Sequence, residues 1–443
     1  MKIARNLCTK FSVFISLALL ISGGALLHGT AFADETFTQT ATITLPGASA
    51  NVPGSLTSFD IGFVDPQLGF YFLADRTNKT VDEIRTSDNH ITRQLAKGEL
   101  VGANGVITAN NHKEVWIGDN VDPNTGTSSV KVISLATGHV TRTIDTKGTK
   151  GRTDELCVDP QHHVVLAAND VDLFVKFIST DTYKVIGTLF FDGSDRKAQN
   201  VKSNNGIEQC QWSPRTGKFY LNIPQVGGTP GKNDTPGVVV MINPASMMVQ
   251  KVFPIESSSV CRGNQGLAIG PQRELLIGCS ASGTGSVILD ELNGSEIRSL
   301  PGLNGSDEVW YNPGDNHYFL ALGNHTAGGV VGGAAAPILG VADQRGDEDI
   351  EDAGPTTLRG SHSVAADPVK NQVYVPINGG NLGANTALCG AGVNGCIAVF
   401  TTTNDDPGLC SGPGTPAHGE GRRGDPRFLR NVCPNNNSQP HGD

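Results

Sequence analysis

Residues Arg152 to Pro160 read RTDELCVDP, and six other segments of the chain repeat the plan of this stretch. Counting six residues back from a marker proline reaches a polar residue each time. Pro66 leads to Asp60, Pro160 to Asp154, Pro214 to Glu208, Pro271 to Gln265, Pro313 to Asp307 and Pro368 to His362. A seventh copy has Asn110 in place of the proline, and Asn104 lies six positions before it. A short apolar run separates each polar residue from its marker, and a second run follows the turn, as in FYFLAD, VVLAAN and QVYVPI. Seven copies about 42 to 57 residues apart are the mark of a repeat protein, with room for four short strands in each unit. The expected fold is all-β, a seven-bladed β-propeller with four-stranded blades.

Ring closure has its own signal. Thr36 to Leu45, TFTQTATITL, alternates polar and apolar residues as a half-buried strand does, yet belongs to no complete repeat. The last repeat offers strands near 362–366, 371–377 and 395–401 but no fourth. The N-terminal strand is therefore expected to join the last blade. In the sixth repeat a Gly/Ala-rich insertion and the acidic run Asp347 to Asp352 obscure the third and fourth strands.

The flanks read differently from the repeats. Lys2, Arg5 and Lys10 precede an apolar run from Phe11 to Leu27, and Ala31-Phe32-Ala33 supplies a small-x-small cleavage site. Residues 1–33 are expected to be a secretory signal peptide, and residues 34–403 the propeller. Residues 404–443, rich in Gly, Pro and Asn, are expected to be a tail with little structure of its own. Periplasmic or secreted localisation follows, with no membrane insertion. Cleavage removes three positive charges and no acid, taking the formal net charge from −10 to about −13. Such a chain lacks the basic footprint that nucleic acid requires.

Eight of the nine cysteines lie beyond Cys8, an even number for an oxidising compartment. The repeat brings Cys157 near Cys210 in adjacent blades and Cys261 near Cys279 on antiparallel strands. Cys389 and Cys396 close a small loop, and Cys410 with Cys433 would staple the tail. No CxxCH occurs, so covalent haem is not expected.

Several second and third strands follow the pattern V-Y-V-A-N, a few residues, then T-V-x-V-I-D. FYFLADRTNKTVDEIRT, VWIGDN…SVKVIS, VVLAANDVDLFVKFIST and, in part, VYVPING…CIAVF carry it. Over roughly residues 57–403 the chain resembles the exported YVTN-type seven-bladed propellers of bacteria. The resemblance implies a fold and export but no single activity, because such blades serve unrelated functions.

The first strand of each blade lines the central channel, so Asp60, Asn104, Asp154, Glu208, Gln265, Asp307 and His362 should ring one of its mouths. Converging carboxylates raise one another's pKa or attract a cation. Asp154, Glu208, Asp307 and Asn104 are the candidate metal ligands, for Ca²⁺ or Mg²⁺ before Mn²⁺ or Zn²⁺. Asp60, Asn104, Asp154, Gln265, Asp307, Arg152 and Arg262 are the candidate ligand-binding residues, the two arginines on the rim. The long insertions at 192–205, 224–237 and 378–395 fall on the same face, whereas the opposite face has mostly short Asp-Pro turns. Three readings stay open. The mouth binds a small polar ligand, or an exported protein or glycan, with or without a divalent cation. It is a metal-dependent lactonase, hydrolase or lyase in which Glu208 and His362 move protons. Or the propeller is a scaffold whose ring is merely hydrated.

Overall fold

The Asp-Pro markers make turns by a recurring device. In blade one the Asp65 Oδ1 accepts the backbone N–H of Gln67 (3.0 Å) and of Leu68 (3.1 Å). Asp159 does the same for Gln161 (2.8 Å) and His162 (3.1 Å), and Asp367 for Val369 (2.8 Å). These side-chain bonds stand in for a backbone turn and stop each first strand at the same point. Blade two departs, and its geometry explains the missing proline. Asn110 has φ of 53°, a left-handed value that a pyrrolidine ring cannot reach and asparagine tolerates well.

The computed structural model describes residues 37–46, 55–255, 260–281, 284–327, 330–345, 348–352, 356–379 and 386–402. The expected signal peptide, the expected tail and the expected Cys410–Cys433 pairing all lie outside the described residues. Seven four-stranded antiparallel sheets form a seven-bladed propeller. Six blades take four consecutive strands each; blade three, for example, runs Thr153–Asp159, Val164–Asn169, Phe174–Ser179 and Lys184–Phe190. The seventh has Ala365–Asp367, Gln372–Ile377 and Cys396–Thr402, completed by the N-terminal strand Phe37–Ile43. Phe37 faces Thr402 and Ile43 faces Ile397, so the two ends of the repeat region are zipped together as expected. In blade six the strands the sequence left unplaced are Ile338–Arg345 and Glu348–Asp352. Glu348–Asp352, most of the acidic run, is thus the outermost strand of its sheet.

The core lies between blades. Inner and second strands are almost wholly buried, whereas outer strands such as Val140–Asp145 are largely exposed. Tyr71 of blade one stacks on Tyr374 of blade seven with centroids 4.6 Å apart, and the Tyr374 hydroxyl donates to Asn89 Oδ1 at 2.8 Å. Burying each such ring stabilises by roughly 1.5–3 kcal/mol, so this stack adds a second closure to the zipped strand.

Three disulfides match the expected pairs: Cys157–Cys210 between blades three and four, Cys261–Cys279 within blade five, and Cys389–Cys396 in blade seven. Among the described residues no helix is long and apolar enough to cross a membrane.

Candidate ligand-binding mouth

Inner-strand register decides which side chains meet at the axis. In blade three the pairing with the next strand jumps from Thr153 to Leu156, leaving Asp154 and Glu155 outside the ladder. Such a break relaxes strict alternation, and both carboxyl groups join the acid cluster around the channel. Gly105 of blade two sits where a Cβ would come within 1.9 Å of the Asp154 carbonyl oxygen, so only glycine lets these two backbones approach.

At the loop-rimmed mouth the predicted ring residues are knitted together by arginines. Arg152 grips Asp154 with two nitrogens, Nε to Oδ1 at 2.7 Å and Nη2 to Oδ2 at 2.6 Å. Its remaining reach is longer, 4.0 Å to Asp60 and 4.0 Å to Asp170. Arg76 pairs with Asp60, donates from Nε to Asn104 Oδ1 at 2.9 Å, and lies 3.9 Å from Asp154. The Asn104 amide then donates to the Gly102 carbonyl at 2.9 Å. His362 stacks on Phe59, with centroids 4.9 Å apart, and places Nδ1 3.5 Å from Asp307 Oδ2. Gln265 uses its backbone carbonyl, which accepts from Gln209 N and the Asn222 amide. Arg262 makes no ion pair within 4 Å among the described residues, and its charge acts on Asp234 in the 224–237 loop.

Asp60, Asn104, Asp154, Glu208, Asp307, His362 and Arg152 therefore belong to one electrostatic cluster, whereas Arg262 acts on the 224–237 loop. Of the four candidate metal ligands, Asp154 and Asn104 are engaged by Arg152 and Arg76. Glu208 and Asp307 have no lysine or arginine nitrogen within 4 Å among the described residues. As the side chains stand, no three His, Cys, Asp or Glu of the described residues group at metal-ligand spacing.

Two residues of the cluster, Arg76 and Asp170, escaped the sequence reading. Both directly follow a second strand, Phe70–Asp75 and Val164–Asn169, which ends at the mouth where the inner strand begins. The repeat marker registers inner strands only; the same count applied to second-strand ends would have found them.

Burial and crowding shift these acids strongly. Burial, then Asp154, holds the Asp60 carboxyl well above the ordinary range, against the pull of Arg76 and Arg152. Asp170 is pushed up to about 6 by burial and Asp154, and Asp307 to about 7 by the same two causes. Glu208 is raised well above its usual value by burial, Asp170 and Asp307. His362 is driven the other way, to about 4, by burial and by Arg76. Near neutral pH the imidazole is neutral while part of the carboxyl set keeps its protons.

One layer deeper the channel is closed. Glu155 and Glu308, 4% and 5% exposed, meet across it and are both raised well above the ordinary range, by burial first and then by neighbouring acids. Gln209 Oε1 accepts the Leu267 N–H, and its amide donates to the Val309 carbonyl at 3.4 Å. Above this plug, the 192–205 and 224–237 loops brace each other, with Asn205 Nδ2 donating to Asn233 Oδ1 at 2.8 Å and Ser203 bridging to Val226.

No family model matches the chain, and no curated protein matches it. Solved structures do match, by fold. A chain of the mitotic checkpoint complex aligns with a TM-score of 0.56 at 12% identity, covering 83% of this chain and 96% of that one. The WD40 repeats of RRP9 align with a TM-score of 0.55 at 10% identity, covering 83% and 100%. A hydrazine synthase chain of Kuenenia stuttgartiensis aligns with a TM-score of 0.52 at 12% identity, covering 75% and 95%. At such identities the likeness shows a β-propeller and nothing finer.

Proposed function

We propose that this chain is an exported binding propeller of the YVTN type whose loop-rimmed mouth takes a small cationic ligand, a protonated amine or a divalent metal ion. The observation that carries the reading is an imbalance at the mouth. Asp60, Asp154, Asp170, Glu208 and Asp307 share one opening with two guanidinium groups, and those two are spent on Asp60 and Asp154. Asp170, Glu208 and Asp307 lack a close cationic partner among the described residues, so burial and crowding raise their pKa values, and a cation placed among them would take over from the protons they hold. The disulfides fit an oxidising compartment. The three structural neighbours are propellers, and propellers commonly serve as binding platforms, which fits a partner recognised on the ordered loops.

The test is a thermal-shift and calorimetric titration with Ca²⁺, Mg²⁺, Mn²⁺, putrescine and tetramethylammonium. Saturable binding by one class should raise Tm, and Glu208→Gln or Asp307→Asn should weaken it about tenfold or more. Binding by the metals alone assigns a metal site; binding by the ammonium compounds alone assigns an organic ligand. If neither class binds, the proposal fails.

A catalytic second reading is favoured by one feature. A neutral His362 beside Asp307, with proton-retaining Glu208 in the same cluster, places a base and an acid at one mouth. On this reading Glu208→Ala abolishes turnover of whichever lactone or ester in a panel the protein hydrolyses. Full activity in that variant removes Glu208 from the chemistry.

A further inference from the structure

The channel has a second mouth, at the end where the marker turns lie, and it opens into a cavity of about 380 Å³. The plug of Glu155, Glu308 and Gln209 separates it from the carboxylate mouth. Its walls are of the opposite character. Phe63, Trp212 and Trp310 line it together with Val158 and Ile269, and five of the six marker prolines border it. Two of the three tryptophans in the chain are committed here. Phe63 and Trp310 meet edge to face with centroids 5.8 Å apart.

Charge narrows what such a space accepts. Among the described residues lining it there is no lysine or arginine, and the one acid, Asp65, is already bound by His112 and by the Thr108 hydroxyl at 2.6 Å. Among the residues lining it, Trp212 Nε1 has no hydrogen-bond partner within the described residues. Gln211, half-buried on the inner strand Cys210–Ser213, makes no side-chain hydrogen bond among the described residues. The volume lies within the roughly 300–1,000 Å³ of small-molecule pockets, and the exposed lining is mainly apolar, as in such pockets.

From these features we infer that the second mouth is a binding site for a small, uncharged, ring-containing molecule bearing one carbonyl or amide group. The aromatic walls take the ring, and Gln211 pairs with the polar group. The site is independent of the cationic mouth, since the plug lies between them.

Prodan, a neutral naphthyl ketone, is the probe. Because Trp212 and Trp310 line the cavity, its binding is read directly as quenching of tryptophan emission with energy transfer to the dye. Saturable one-to-one quenching is expected. Trp310→Ala should weaken binding about tenfold or more. Gln211→Leu, which keeps the side-chain size, should weaken Prodan about threefold to tenfold but leave 2-ethylnaphthalene unchanged. Ile186→Ala, at an exposed outer-strand position, should alter neither ligand. Circular dichroism melts establish that each variant is folded, and Gln211→Leu decides the matter if Trp310→Ala is not. Absence of saturable quenching up to the solubility limit would overturn the inference. So would equal binding by wild type and a folded Gln211→Leu variant, or quenching that requires a proline-rich peptide or a second copy of the chain.

Discussion

Glu155 and Glu308 hold two carboxyl groups against each other in the middle of the channel, and this makes the stability of the protein depend on pH in a definite direction. Each has a folded-state pKa raised above the ordinary glutamate value, as have Glu208, Asp170 and Asp307. The folded chain therefore binds more protons than the unfolded one. That contribution is complete below the unfolded pKa and is lost as pH rises through the folded values. Tm should fall from about pH 5 towards pH 9, and Glu155→Gln should make the fall shallower; an unchanged slope would contradict the account. His362 works with the opposite sign. Its pKa of about 4 lies below the ordinary histidine value, so its contribution is present above about 6.5 and lost as pH falls towards 4. Its imidazole C2 proton should titrate near pH 4 by NMR, and a midpoint near 6.5 would place the ring in water.

At the scale of strands and blades, most of the architecture was legible in the primary sequence. A marker residue every blade, a turn chemistry read from Asp-Pro, and alternation in the orphan N-terminal strand were enough to place seven sheets and their closure. The same register brought Cys157 near Cys210, because the two fall at nearly the same place in adjacent inner strands. Replacing both by serine should cost about 2–4 kcal/mol in chemical denaturation, since the bond closes a long loop between blades. A loss near zero would mean that blades three and four hold together without it. Legibility failed where periodicity did. The acidic strand Glu348–Asp352 has no apolar alternation, because an outermost strand has only one neighbour to pack on. Arg76 and Asp170 were hidden because they sit just past strands whose ends carry no marker. The second mouth drew no reading from its mostly short Asp-Pro turns, because its lining comes from the inner-strand side chains Phe63, Trp212 and Trp310, not from loop length.

For the whole molecule, a closed ring means that each blade depends on two neighbours, and the strand Phe37–Ile43 is what makes blade seven complete. Deleting residues 37–43 should expose the edge of Cys396–Thr402 and lower the unfolding midpoint well beyond the effect of a single-site change. A deletion variant with wild-type stability would show that the Tyr71–Tyr374 stack suffices for closure. The plugged channel also gives the molecule two chemically distinct ends, one ringed by carboxylates and arginines and one walled by aromatic rings. The most direct measurement of the proposed function is calorimetry of cation binding in buffers of different ionisation enthalpy between pH 6 and 8. With Asp307 near 7 and Asp170 near 6, a cation entering the carboxylate mouth must displace protons. The account predicts release of about 0.5–1 proton per cation near pH 6.5, reduced in Asp307→Asn, with affinity rising as pH rises. Binding without proton release, or affinity that weakens as pH rises, would contradict it.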